Sequence, residues 1–429
     1  MMPEVPEQLK NEDIEEFRKM LKNGSRIFKP GGREYFDDNY QPNKLHHRDT
    51  EISRITGVLR PCLEKETPST IMIYGSSGTG KTAVINYIGN KFREIGVKEK
   101  VPIFFVYVNC STMDTAYALF QHLGNQFADG DKSRIPSTGW PFQAVIDKLK
   151  ENLSACERIV ILALDEVDRL VKKSGDDALH TLLTLKTECP NAKIGFVGIS
   201  NDLRLMENLE PRVKSRLAGE NITFNPYTAE QLKTILLTRA QQGFLEGKWR
   251  EEEIALCAAI AAKESGDARR AIRILRTAAD MAEREGAERI MEEHIYDAKN
   301  AIEKDVIKET IRKLRDHEKL VLYGICNLQR QRENITTGSI YSVYSIYAKT
   351  IGLSELSPRS IREYLINMDD LGLISAYVQS WGRRGRTTLA QLNIPLNETI
   401  QILEEDPLVS DLRKKIKPMI YREKTLDEV

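Results

Sequence analysis

Neither sign of charge is in surplus in this chain. Its 63 lysines and arginines balance 63 aspartates and glutamates over 429 residues. A balanced total argues neither for nor against nucleic acid, so any basic surface has to be local. Long hydrophobic runs are absent. The longest, such as "IVILAL" at 159–164, are far too short to cross a bilayer. The opening "MMPEVPEQLKNEDIEEF" is acidic and polar and does not read as a signal peptide. Paired cysteines are missing too. The six lie at 62, 110, 156, 189, 257 and 326, with no CxxC and none near a histidine pair at zinc spacing. Reduced, mostly buried thiols in a cytoplasmic protein are expected. His46 and His47 are adjacent, but chain neighbours usually point apart, and no metal site is expected there. No internal repeat is present.

What is there reads as globular: 41% hydrophobic and 29% charged residues. The length suggests about three domains. Residues 1–45 are polar, with "KPGG" and "DDNYQPN" as turn signals, and read as an N-terminal arm with one short helix. Strand candidates "TIMIYG", "VPIFFVYVNC", "RIVILALDEVD" and "KIGFVGISN" then alternate with helical stretches across 46–225. Nearly continuous apolar strands separated by helices imply a parallel sheet covered on both faces, a three-layer α/β domain. Amphipathic helices at 226–303 form a small bundle, opened by a capping box of Thr228 and Gln231. Residues 304–398 give helices, with Ser357 as N-cap and Pro358 at the first helical position, then a hairpin. That is the order of a winged helix. Residues 399–429 are a charged tail without a clear packing pattern.

Gly75 to Thr82, "GSSGTGKT", fits G-x-x-x-x-G-K-[ST] between a strand and a helix. The glycines let backbone N–H groups turn toward phosphates, and the helix N-terminus adds favourable dipole charge. Lys81 is expected to reach the β- and γ-phosphates and Thr82 to ligate Mg²⁺. Asp165, ending an apolar strand, would complete the Mg²⁺ shell, and Glu166 would polarise the attacking water. Asn201 ends a later strand and could bond the γ-phosphate or the water. Arg212, Arg216 and Arg269 are suited to transition-state charge on phosphoryl oxygens, although arginines on helices are usually solvated.

These motifs come in an order that resembles the AAA+ ATPases. "YQPNKLHHRDTEI", "YGSSGTGKTAV", "LDEVD", "GISNDL", "PRVKSRL", "NPYTAEQL" and "GDARRAI" look like the archaeal origin-recognition-complex/cell-division-cycle initiator family, over nearly the whole chain. The resemblance implies an AAA+ P-loop α/β domain, a helical lid and a C-terminal winged helix. It implies ATP or ADP with Mg²⁺ as cofactors and slow hydrolysis as a switch. Double-stranded origin DNA, the MCM helicase and further initiator copies are the implied partners, with a nucleoid-associated location. By residue, Gly75, Ser77, Gly78, Thr79, Gly80, Lys81, Thr82 and Ala83 match the phosphate-binding segment. Asp165, Glu166 and Asn201 match the hydrolytic strand ends, and Arg269 matches the lid's sensor arginine. Tyr227 and Arg239 match nucleotide-contacting positions. Arg212 and Arg216 both fit the arginine finger given to a neighbouring subunit. A clamp-loader-like AAA+ subunit and an ATP-regulated transcription switch are the alternatives.

The DNA-facing expectation also rests on the residues themselves. Between Leu371 and Asn397 the only charged side chains are Arg383, Arg384 and Arg386, all in one glycine turn. An acid-free, arginine-tipped hairpin suits a groove and its phosphates. Arg359 and Arg362 lie one turn apart near the N-terminus of the preceding helix, where a recognition helix meets DNA. Tyr377 and Trp381 are expected to pack within the domain. Lys132 and Arg134 occupy the place of a DNA-touching insertion in the resembled family, with a solvated loop as the equal alternative.

Overall fold

The computed structural model describes residues 25–38, 40–113, 115–155, 157–331, 335–380 and 386–424. The chain divides into two compact units, one ending at Ala298 and the other beginning at Lys299.

In the first unit β1 (Ile71–Tyr74), β2 (Ile103–Asn109), β3 (Arg158–Asp165), β4 (Ala192–Ser200) and β5 (Glu220–Thr223) form a parallel sheet in the order β2-β3-β4-β1-β5. Side chains alternate between its faces. Ile71, Ile73, Ile161, Ala163 and Val197 pack on one side with Val84, Ile85 and Ile88 of the helix Lys81–Glu99. Met72, Val106, Leu162, Leu164 and Phe196 pack on the other, against Val145 and Leu149 of Phe142–Ser154 and Leu179 and Leu182 of Asp176–Glu188. Both faces are dry, which is why the strands read as unbroken apolar runs. Four strands match the candidates from the sequence. The fifth, β5, was not among them: it is a short edge strand with one buried side chain, Ile222, and carries no apolar pattern.

Register sets the site. Tyr74 pairs with Ser200, and Asn109 with Asp165, so β1 and β4 end level, as do β2 and β3. The segments after β1, β3 and β4 leave from the carboxyl edge, where ligands bind in open parallel sheets.

The lid follows as helices Ala229–Gly243, Glu251–Glu264 and Ala268–Arg284 and the start of Glu292–Lys313. Its opening capping box is formed: Thr228 Oγ1 accepts from Gln231 N, and Gln231 Oε1 from Thr228 N. The expected boundary at 303/304 falls inside Glu292–Lys313, and the first unit ends at Ala298. No glycine or proline interrupts that helix.

The polar arm turns out to be partly core. Phe28 and Phe36 are buried against Phe244 of the lid, with ring centroids 5.2 and 4.5 Å from it. A Cβ on Gly32 would lie 2.1 Å from the Gly243 carbonyl oxygen, so only glycine permits that approach. Arg33 pairs with Asp280 at 2.9 Å and also with Glu283. The described part of the arm holds one short 3-10 helix, Gly32–Phe36, and residues 1–24 lie outside the described residues.

The second unit has helices Asp316–Arg330, Thr337–Ile351 and Pro358–Asp370, then antiparallel β6 (Ile374–Ser380) and β7 (Arg386–Leu392). Ser357 caps the third helix by accepting from Ser360 N at 3.3 Å. The described part of the charged tail has a packing pattern that its sequence does not make clear. Helices Leu396–Glu404 and Pro407–Lys424 put Leu403, Val409 and Leu412 into the same core as Leu320, Ile325 and Ile361. Charges on their outer faces hide these few anchors in the sequence. Tyr377 is also corrected: it is 52% exposed. Ile374 and Ala376 of β6 take the core face, which turns their odd neighbour outward.

Candidate nucleotide site

The loop after β1 is built on left-handed glycines. Gly78 has φ +71° and Gly80 φ +87°. Both also meet close neighbours. A Cβ on Gly78 would fall 1.7 Å from an Asp267 carboxylate oxygen, and one on Gly80 2.6 Å from the Tyr227 hydroxyl. Lys81 begins the helix and is buried, its Nζ donating to the carbonyls of Gly75 at 2.9 Å and Ser76 at 2.7 Å. Burial pushes its pKa below the usual lysine value, and the nearby Asp165 carboxylate works against that shift.

Asp165 ends β3 with its carboxylate filled by protein donors. Oδ2 accepts from Thr82 Oγ1 at 2.6 Å and Tyr107 OH at 2.8 Å, and Oδ1 accepts from Glu166 N at 2.9 Å. Burial, then the carboxylate, pushes the Tyr107 phenol up, so it stays protonated and donating. Glu166 has φ +54°, a strained conformation for a non-glycine residue and one found at functional sites. Its Oε2 forms an ion pair with Arg169 Nε at 2.5 Å. Asp168 is buried and accepts from Ser200 Oγ at 3.0 Å and Asn201 N at 3.3 Å, tying the ends of β3 and β4 together.

One cavity of about 440 Å³ gathers most of the expected residues. Ser77, Gly78, Gly80, Lys81, Thr82 and Ala83 line it, with Asp165, Glu166 and Asn201 from the strand ends and Tyr227, Arg239 and Arg269 from the lid side. Arg239 is buried. Its Nη1 donates to Tyr35 O at 2.7 Å and its guanidinium lies 4.2 Å from the Tyr40 ring centroid. Burial lowers its pKa to about 10. Gly75 and Thr79 stand behind the cradle and do not line the cavity: Thr79 is fully buried, with Oγ1 on Ser76 O at 2.9 Å.

Arg212 and Arg216 lie on the helix Pro211–Leu217 and do not line this cavity. Arg212 is tied to Glu210 at 2.6 Å and Asp177 at 2.8 Å. His46 also lines the cavity, its Nε2 3.2 Å from Thr238 Oγ1.

Four residues escaped sequence reading: Tyr107, Asp168, Asp267 and Arg48. Tyr107 looks like one more apolar strand position. Asp168 is the second aspartate of "LDEVD", three residues on, and one helical turn at that spacing was the available signal. Asp267 caps the helix Ala268–Arg284, accepting from Arg269 N at 2.7 Å.

Of the other expected residues, Arg359 and Arg362 are exposed on the helix Pro358–Asp370, and Arg359 lies 3.4 Å from Glu363. Lys132 and Arg134 are exposed around the short turn Asp131–Ser133, with Arg134 3.7 Å from Asp131. Arg386 starts β7 opposite Ser380. Arg383, Arg384 and Trp381 lie outside the described residues.

A phosphate loop and paired carboxylates at the carboxyl edge of a five-stranded parallel sheet, followed by a helical lid and a winged helix, define an AAA+ ATPase class. Family comparisons agree: residues 64–206 match the AAA domain, 233–300 the Cdc6 AAA+ ATPase-type lid domain, and 309–401 the CDC6 C-terminal winged helix domain. The ORC1-type DNA replication protein of Thermococcus onnurineus is 41% identical over 391 residues, 91% of this chain and 94% of that protein. ORC1-type DNA replication protein 1 of Methanosarcina mazei is 40% identical over 393 residues, 91% of this chain and 93% of its own length. The Aeropyrum pernix ORC1 protein, solved in complex with DNA, superposes with a TM-score of 0.81 at 37% identity, over 90% of this chain and 99% of that one. This chain belongs to the ORC1-type DNA replication initiator family.

Proposed function

We propose that the chain binds replication-origin DNA and helps recruit and load the MCM helicase, with ATP binding and slow hydrolysis as the switch. One observation carries this. The phosphate loop, the Thr82–Asp165 pair and Arg269 converge on one cavity in a chain that also bears a winged helix. The Aeropyrum relative solved with DNA supports the DNA half of the reading.

In this reading Lys81 turns from its loop carbonyls to the β- and γ-phosphates. Thr82 and Asp165 would hold Mg²⁺, and the donor set fits: a hydroxyl and a carboxylate oxygen stand 2.6 Å apart at the loop's mouth. The ion, when bound, supplies positive charge to the phosphate oxygens. Glu166 leaves Arg169 and accepts a proton from the attacking water at its carboxylate, while Asn201 orients that water. Arg269 meets the γ-phosphate from the lid. A neighbouring copy supplies its arginine from Arg212 or Arg216. Arg359, Arg362, Arg383, Arg384 and Arg386 contact DNA, with Lys132 and Arg134 as a second contact. The protein then works in the cytoplasm on the nucleoid. A clamp loader would carry a helical collar where this chain carries its winged helix, and that alternative is set aside.

Replacing Arg383, Arg384 and Arg386 together by alanine tests the DNA interface. Duplex binding should weaken, and its log–log salt slope should flatten by about 0.9 for each phosphate that the variant leaves unneutralised. An unchanged slope would remove the wing from the interface.

A further inference from the structure

Arg48 lies in the stretch "YQPNKLHHRDTEI" but has no role assigned above, yet among the described residues it is the most heavily engaged buried cation beside the nucleotide cavity. It begins the run into the helix Asp49–Leu59 and is 4% exposed. Its Nε donates to Thr79 O and to the Tyr227 hydroxyl, each at 3.0 Å. Nη2 donates to Asn225 O at 2.8 Å, and Nη1 pairs with Glu51 at 2.8 Å. The guanidinium lies 4.0 Å from the Tyr227 ring centroid. All three nitrogens are thus used, and Glu51 balances the charge. Burying a cation is costly, and only this full set of partners makes the position tenable.

Apart from Glu51, on the helix that follows, the partners come from three places. Thr79 is in the phosphate loop. Asn225 follows β5. Tyr227 sits immediately before the first lid helix, and its N–H donates to Gly266 O at 3.0 Å, next to the cap of the helix that carries Arg269. The loop is also gripped from the lid by Ala268 N, which donates to Gly78 O at 3.1 Å. We propose that Arg48 is a positioning residue that orients the Thr79–Gly80 peptide for phosphate binding and locks the loop to the lid hinge. The proposal rests on the nucleotide-site reading. In a planar trans peptide the carbonyl and the following N–H point in opposite directions. With Thr79 O held outward by Arg48, the Gly80 N–H turns into the cradle. The same guanidinium holds Asn225 and Tyr227, so displacement of the loop is felt at the hinge. Lysine could supply the charge but not the three-way fork.

The test uses the full chain and a fluorescent ADP. Arg48→Lys should weaken ADP binding by about tenfold or more, since hydrogen bonds to a charged group are removed. Tyr227→Phe, which keeps the ring and removes one acceptor, should weaken it by a smaller factor. The double variant should bind like Arg48→Lys alone, because both act through one contact. ADP should protect the amides of 224–228 from hydrogen exchange in the parent protein, and Arg48→Lys should abolish that protection. A purely structural arginine would lower the unfolding midpoint and leave this ADP-dependent protection intact. Parent-like affinity and protection in the variants, or losses that multiply in the double variant, would overturn the proposal. If Arg48→Lys fails to fold, Tyr227→Phe decides alone: parent-like affinity and protection refute it. A parent protein that does not bind ADP refutes the nucleotide-site reading itself, and the proposal with it.

Discussion

Thr82 Oγ1 donates to Asp165 Oδ2 across 2.6 Å, joining the first turn after the phosphate loop to the end of β3. The hydroxyl's proton is committed to the carboxylate, and its lone pairs remain for a cation. Tyr107, from β2, donates to the same oxygen and fixes the carboxylate's rotation.

Replacing Tyr107 by phenylalanine should therefore act through Asp165. Hydrolysis should fall by about tenfold, the scale of one hydrogen bond to a charged group. The Mg²⁺ concentration for half-maximal activity should rise, while ADP affinity in the presence of a chelator stays the same. Titrating Mg²⁺ at fixed ATP checks this, and an unmoved midpoint would separate Tyr107 from the carboxylate's work.

The aromatic seam between arm and lid should be structural. Phe28 is 2% exposed, and its ring centroid lies 5.2 Å from that of Phe244. Phe28→Ala should cost about 3–5 kcal/mol. Guanidinium unfolding followed by circular dichroism measures it. A loss under about 1 kcal/mol would mean that the arm leaves the lid in solution.

The thiols should be silent in the native protein. Burial pushes Cys62, Cys110, Cys257 and Cys326 up to about 12 and raises Cys189 as well. A raised folded pKa gives stability that is present below the unfolded thiol value and lost as pH rises from there through about 12. At mildly alkaline pH these five should resist a disulfide reagent until denaturant is added. Cys156 lies outside the described residues, so prompt reaction of more than one thiol per chain would contradict the burial.

In the proposed reading, where a neighbouring copy supplies an arginine, Arg216 is the freer of the two candidates. Arg212 is already held by Glu210 and Asp177, whereas Arg216 makes no ion pair among the described residues. Arg216→Ala should lower assembly-stimulated hydrolysis by at least about tenfold with ADP affinity unchanged. Arg212→Ala should do less. The reverse ranking, measured as turnover against protein concentration on DNA, would assign the role to Arg212.

The three-layer fold was legible because buried parallel strands write themselves as apolar runs, and the phosphate loop because glycines and Lys81 keep a fixed spacing. β5 was not, since a short edge strand buries only Ile222. The packing of Leu403, Val409 and Leu412 was masked by surrounding charge. Tyr107 and Arg48 were invisible for a different reason. Their partners, Asp165 and the pair Thr79 and Tyr227, are far away in sequence, and only the sheet register and the lid hinge bring them together. Sequence leaves Arg212 and Arg216 equivalent because both share one helix and one motif; in the structure they differ in ion pairing, Arg212 being held by Glu210 and Asp177.

Footprinting on chromosomal DNA spanning the organism's replication origin, with ATP and with ADP, and with MCM retention scored on the same DNA, tests the switch most directly. ATP and ADP should give different origin affinity and different MCM recruitment, and Lys81→Ala should abolish the difference. Equal affinity and equal recruitment with the two nucleotides would contradict it.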